Sequence, residues 1–153
     1  ANQTAYLVAA MADREGISYL RTIRGATPVI YAPGEEFPIG GSRVLRSSPG
    51  DRVTLVAAGV TVPEAVAAAD RLGAAGIPAR VIALYLVTVE DHWPEGGLGD
   101  AVLDALAGGG PLPRVRKLAV RTMPTSATPA EQLRTAGLDA AAIADAALGL
   151  IGG

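Results

Sequence analysis

The residues with the most chemical potential sit late in the chain, in Glu90-Asp91-His92-Trp93-Pro94-Glu95-Gly96-Gly97-Leu98-Gly99. His92 is the sole histidine among 153 residues, and three carboxylates, Glu90, Asp91 and Glu95, stand near it in sequence. An imidazole that titrates near neutrality could work with a carboxylate as an acid–base pair or bind a metal. The spacing argues against both uses. Adjacent residues at a strand end point in different directions, so these side chains do not converge on one ion. Structural hydrogen bonding at a subunit or domain contact is the expected role. Gly96 to Gly99 opens a helix, whose free amides can hold an anion. Its spacing differs from the Gly-x-Gly-x-x-Gly of dinucleotide sites, and Asp100 directly after it would repel a phosphate. Close packing of helix on strand is the expected use. Thr125-Ser126-Ala127-Thr128 offers hydroxyls, but there is no second histidine to act as base, so a loop and a helix cap are expected.

Bulk composition narrows the classes further. Half the residues are apolar and the net charge is −2, which fits a globular chain and not the basic footprint of a nucleic-acid binder. No run approaches the ~18 apolar residues of a membrane span. The absence of Cys excludes disulfides, thiol catalysis and thiolate metal sites, and fits a cytoplasmic location. The opening Ala1-Asn2-Gln3-Thr4-Ala5 has neither initiator Met nor secretory leader, and reads as the interior of a larger polypeptide.

The elements that must position these residues alternate between helix and strand. Asn2 to Arg14 has helical spacing and Gly16 as its stop, and Ile17 to Thr22 reads as a short strand. Gly25 to Gly41, rich in Gly and Pro, is a connector in which Pro28 to Tyr31 forms a brief extended stretch. Arg43 to Arg46 reads as a strand, Ser48-Pro49-Gly50-Asp51 as a turn, and Val53 to Ala58 as a strand buried on both faces. Thr61-Val62-Pro63-Glu64 has capping-box spacing, followed by the stripe Val62, Ala65, Val66, Ala69, Leu72 and the terminator Gly76. Arg80 to Tyr85 is a second strand, Leu98 to Ala107 a helix and Val115 to Val120 a strand. Thr128-Pro129-Ala130-Glu131 is another capping box, and a last helix is capped by Asp139 and buried through Ile143, Ala147 and Ile151. This order predicts a three-layer α/β/α fold with a mostly parallel sheet and room for one antiparallel edge strand. Val81 to Val89 does not fit: it is either one long strand or two strands whose crossover segment is missing near 86–87.

Several blocks resemble transketolase in order and spacing. They are Gly16-Ile17-Ser18-Tyr19-Leu20-Arg21-Thr22-Ile23-Arg24, Pro28 to Tyr31 with Glu36-Phe37, Val44-Leu45, Val53 to Thr61, Thr88 to Gly99, and Pro129 to Leu133 with Gly137. The resemblance covers nearly the whole chain. It implies that 1–33 is the tail of a middle, pyrimidine-binding domain, 34–41 a linker and 42–153 a C-terminal domain. It also implies ketol transfer between sugar phosphates by a complete homodimeric enzyme. Thiamine diphosphate and a divalent metal such as Mg2+ would then be held by upstream domains, and none by this chain alone. Arg24, on its own an ordinary surface arginine, matches the transketolase arginine that binds the phosphate of the sugar substrate, a task suited to a planar guanidinium. Ile23 stands where the family usually has Ser. Arg21 has a structural or partner-contacting role in this reading. Within the same resemblance, the family's crossover helix before the strand at Thr88 to Glu90 has no counterpart here. Rival readings are a non-catalytic binding or assembly module, or a related thiamine enzyme such as deoxyxylulose-phosphate synthase or a 2-oxo acid dehydrogenase β subunit. Leu20-Arg21-Thr22-x-Arg24 and Glu90 to Gly97 favour transketolase over the last two.

Overall fold

A computed structural model describes residues 2–20, 22, 25–38, 42–81, 86–107 and 113–152, with 86 and 87 described in backbone only. The chain divides into two compact units, Ala1–Arg43 and Val44–Gly153. Arg21 and Arg24 lie outside the described residues.

The first unit contains helix α1, Asn2–Ala12, which has no buried residue of its own. The chain leaves it through Gly16, whose φ of +98° only glycine adopts readily. The expected strand from Ile17 is not formed over its described residues. Ile17 and Tyr19 are exposed and unladdered. A strand needs a neighbouring edge for its amides, and no strand exists among the described residues of this unit. Pro28 to Tyr31 likewise runs without a ladder. The connector is held by aromatic side chains. Phe37 is buried, with Tyr31 at 4.8 Å and Tyr6 of α1 at 5.9 Å, both edge to face.

In the second unit the apolar run became strand β1, Val53–Ala57, entered through the expected turn. There Asp51 accepts bonds from the Ser48 amide (2.8 Å) and hydroxyl (2.7 Å), and pairs with Arg80 at 3.2 Å. Burial works against ionisation of Asp51, but these Ser48 and Arg80 contacts outweigh it and hold the carboxyl below its ordinary value. Helix α2, Thr61–Ala74, follows and buries Thr61, Ala65, Ala68, Ala69 and Leu72. Gly76 ends it with φ +75°, and Ile77 N donates back to Leu72 O at 2.9 Å. The expected capping box at its start is absent. The Thr61 hydroxyl lies 2.8 Å from Ala58 O and 2.9 Å from Val89 O, and Glu64 accepts from Ala140 N, 76 residues away. Tertiary acceptors and donors outcompeted the local pair.

Strand β2 is only Ala79–Arg80, and β3 is Leu86–Val89. Both run parallel to β1 on opposite sides, with Thr54 the register partner of Arg80 and of Leu86. Val81 to Val89 is therefore not one long strand. Only residues 81–85 link two strands roughly 10 Å apart, enough chain to cross but too little for the usual covering helix. Residues 82–85 of the expected strand Arg80 to Tyr85 lie outside the described residues.

Helix α3, Leu98–Leu106, leads to strand β4, Val115–Leu118, parallel to β3. Helix α4, Pro129–Thr135, carries the expected capping box of Thr128 and Glu131 with Pro129 in its first turn. Helix α5, Ala140–Ile151, is capped by Asp139 and buries Ile143, Ala144, Ala147 and Leu150. The sheet order is β2-β1-β3-β4, all parallel. Arg43 to Arg46 forms no ladder, although Arg46 O accepts from Val81 N at 3.1 Å beside β2. Val53, Leu55 and Val89 meet α2 and α5 on one face in a single apolar core, and Leu118 packs against it. Lys117, one residue from Leu118, faces the other way, toward Gly99 of α3. The result is the α/β/α layering expected from the sequence.

Candidate functional site

In an open parallel sheet, ligands favour the carboxyl ends of strands where the strand order reverses. Here that place lies between β1 and β3, where the Ala58–Val60 turn meets Glu90 to His92. Gly59 adopts φ +61°, and a Cβ on it would stand 4.0 Å from the Asp91 carboxylate.

The two helix starts at this edge are already engaged. At α2, the amides of Thr61 and Val62 bond to Ala58 O and Gly59 O, and Pro63 has none to offer. At α3, the carboxylate of Glu90, 3% exposed, accepts from Leu98 N at 2.6 Å and Gly99 N at 3.2 Å. The chain thus supplies its own anion to the helix start. Gly97 makes this possible: a Cβ there would fall 1.8 Å from Glu90 Oε2. Gly99 is needed for a different neighbour, since its Cβ would meet the Lys117 stem at 2.5 Å.

Lys117, the only lysine in the chain, is the residue the sequence reading passed over. Its ammonium reaches Pro94 O at 2.6 Å and Asp100 Oδ1 at 2.5 Å. Asp100 also accepts from Gly96 N at 2.7 Å. The sequence signal was available: a single lysine in a chain that otherwise uses arginine, on a strand next to a glycine-opened helix. Val120 N donates to His92 O at 2.9 Å, so the 91–97 loop is tied at several points. His92 itself is exposed, with Nδ1 2.8 Å from Trp93 O. Glu90 is instead bound to the α3 start, through Leu98 N and Gly99 N. At the end of the 125–128 stretch, Thr128 caps α4 together with Glu131, and the Thr128 hydroxyl and then amide hold the Glu131 carboxyl below its ordinary value.

The bond from Lys117, followed by that from Gly96, also holds the Asp100 carboxyl below its ordinary value. A carboxyl depressed by folding stabilises fully above its unfolded value, 3.8, and that contribution fades as pH falls through the lower folded value. Asp100→Asn is therefore expected to flatten the acid limb of stability below pH 3.8, read as urea midpoint against pH. An unchanged acid limb would show that the Lys117–Asp100 pair does not act this way.

These described residues do not fit a diphosphate and its divalent cation. The α3 start holds Glu90, the first α2 amides are spent, and among the described residues no cluster of three or more His, Cys, Asp or Glu could hold a metal. Among them, too, no helix is long and apolar enough to cross a membrane.

Residues 42–87 and 83–143 match the family described as "Transketolase, C-terminal domain", in two stretches that overlap at 83–87. Along the sequence, the chain is 39% identical to human transketolase (Homo sapiens) over 160 residues, covering 92% of this chain and 26% of that relative. It is also 39% identical to "Transketolase-like protein 1" of Bos taurus over 155 residues, covering 88% of this chain and 26% of the relative. The chain thus spans about a quarter of the length of these relatives. Among solved structures, "Split gene transketolase, inactive beta4 tetramer" superposes with TM-score 0.86 at 30% identity, over 97% of this chain and 54% of that one. An all-parallel α/β/α unit with Glu90 locked into the glycine-opened helix, matched across two thirds of the chain by one family, leads to one conclusion: the chain belongs to the transketolase C-terminal domain family.

Proposed function

We propose that this chain is the C-terminal part of a transketolase, which as a whole moves a two-carbon ketol unit between sugar phosphates in the cytoplasm. The carrying observation is similarity to transketolases along 92% of the chain that covers only 26% of the relative. Upstream domains would hold thiamine diphosphate and a divalent metal such as Mg2+. The cofactor would supply the carbanion chemistry. This chain's share is assembly and homodimer stability, together with Arg24 as the arginine that grips substrate phosphate. In this reading 1–33 is the tail of the pyrimidine-binding domain, 34–41 a linker and 42–153 the C-terminal domain. The family's crossover helix is missing near 86–87, supported by the two overlapping family stretches and the short 81–85 link.

Ketol transfer by this chain alone, set against the chain joined to its upstream portion, tests the reading. Turnover is expected only from the joined form, and turnover by the chain alone would overturn it. A second arrangement, a subunit encoded apart from its partner, is favoured by the solved relative described as a split gene transketolase and an inactive tetramer. Activity on mixing two separately made chains would select it.

A further inference from the structure

We propose that the carboxyl edge of β3 and β4 carries a surface on which a second copy of this chain docks by two-fold symmetry, with Trp93 as its anchor. The inference deepens the homodimer role proposed above by naming a contact for it, and it does not depend on ketol transfer. The backbone around Trp93 is engaged within the chain. Three successive carbonyls have partners: His92 O accepts from Val120 N at 2.9 Å, Trp93 O lies 2.8 Å from His92 Nδ1, and Pro94 O accepts from Lys117 Nζ at 2.6 Å. The indole is nonetheless 43% exposed, in the chain's one tryptophan. A large ring held out on a fixed turn loses little freedom on binding, as an interface anchor requires. The Val120–His92 bond brings a second segment beside it. Three residues on, Met123 is 79% exposed, in a stretch held at its far end by Gln132 Nε2 donating to Thr125 O at 3.1 Å. Its thioether suits contact with an aromatic ring.

The charges at this edge say what covers it. Glu95 and Arg121 are exposed, two residues after Trp93 and two before Met123. Neither side chain has a partner among the described residues, whereas Asp91, half-buried at the base of the turn, is engaged within the chain. A patch with an acid and a base beside two apolar side chains complements itself. Turned about a two-fold axis, Trp93 meets Met123 of the second copy, Glu95 meets Arg121 of the second copy, and each contact occurs twice. A surface of one sign would repel its own copy.

Analytical ultracentrifugation of the 153-residue chain at rising concentration is the test. A reversible dimer is expected, and emission from the sole tryptophan should move to shorter wavelength as it forms, because the indole leaves water. Trp93→Ala is expected to weaken association at least about 30-fold, the effect of losing an interface anchor. Glu95→Arg and Arg121→Glu should each weaken it about tenfold alone. Mixed together they should pair again, and the double variant should pair with itself, which no folding defect could produce. A chain that stays monomeric up to about 1 mM overturns the inference. So does a dimer that survives Trp93→Ala, or a pair of charge variants that fail to restore one another. If any of these failures is seen while the joined enzyme still transfers ketol units, the surface is wrong and the functional reading stands. If the joined enzyme is inactive and the dimer behaves as described, the surface stands without that reading.

Discussion

Gly97→Ala lowers the unfolding free energy by about 3 kcal/mol, a result expected from one displaced carboxylate. The backbone at Gly97 is extended, φ −93° and ψ −165°, which alanine adopts without strain. The cost lies in the new Cβ, which would stand 1.8 Å from Glu90 Oε2 and 2.8 Å from its Cδ. The side chain must withdraw, and it surrenders both bonds to Leu98 N and Gly99 N in a nearly dry position. Hydrogen bonds to a charged group are each worth about 1.5–3 kcal/mol, so the loss of two sets the lower end near 3. A double-mutant cycle isolates the cause. In a Glu90→Ala background the obstruction is gone, and Gly97→Ala should then cost under about 1 kcal/mol. Urea unfolding followed by circular dichroism measures all four proteins. Strict additivity would show that the carboxylate is not what Gly97 makes room for.

The other large effect is catalytic. Arg24→Ala in the joined enzyme is expected to raise KM for sugar-phosphate substrates about 100-fold, the equivalent of two charge-assisted bonds at roughly 1.5 kcal/mol each. Non-phosphorylated acceptors should be almost unaffected, because the lost contacts would be to the phosphate. Arg24→Lys should recover part of the loss, since an ammonium keeps the charge and not the planar fork. Steady-state kinetics with matched phosphorylated and free acceptors decide it. A similar rise for both acceptors would remove Arg24 from the phosphate site.

Where local chemistry decides structure, the sequence was readable. Thr128 and Glu131 cap α4 as their spacing predicts, because they sit on an exposed helix start where the described residues offer no competing partner. Thr61 and Glu64 have the same spacing and behave otherwise, because α2 starts where the backbone of β3 and the first residue of α5 offer better partners. No pattern four residues long can register a partner 76 positions away. The missing strand at Ile17 has the same origin, since its amides need an edge that the first unit does not contain among its described residues. Gly97 and Gly99 were legible as close packing, but the groups they pack against, Glu90 and Lys117, were not. Side-chain alternation along β3 and β4 sends Glu90 to α3 and Lys117 to Gly99, and that depends on register set by strand pairing. For Arg24, the resemblance supplies the role, and the partners that would complete it belong to polypeptide outside this chain.

Helix α5 follows every strand in chain order, yet it shares the central core with α2, β1 and β3. During synthesis, then, a ribosome that has delivered all four described strands still holds back one of the two helices that cover this face. With α2 alone on that face, the core that contains Leu55, Val89 and Leu72 stays incomplete until α5 emerges. The nascent form is consequently a natural client for chaperones, and stop codons arising before Ala140 should yield aggregating or degraded products instead of shortened, soluble ones.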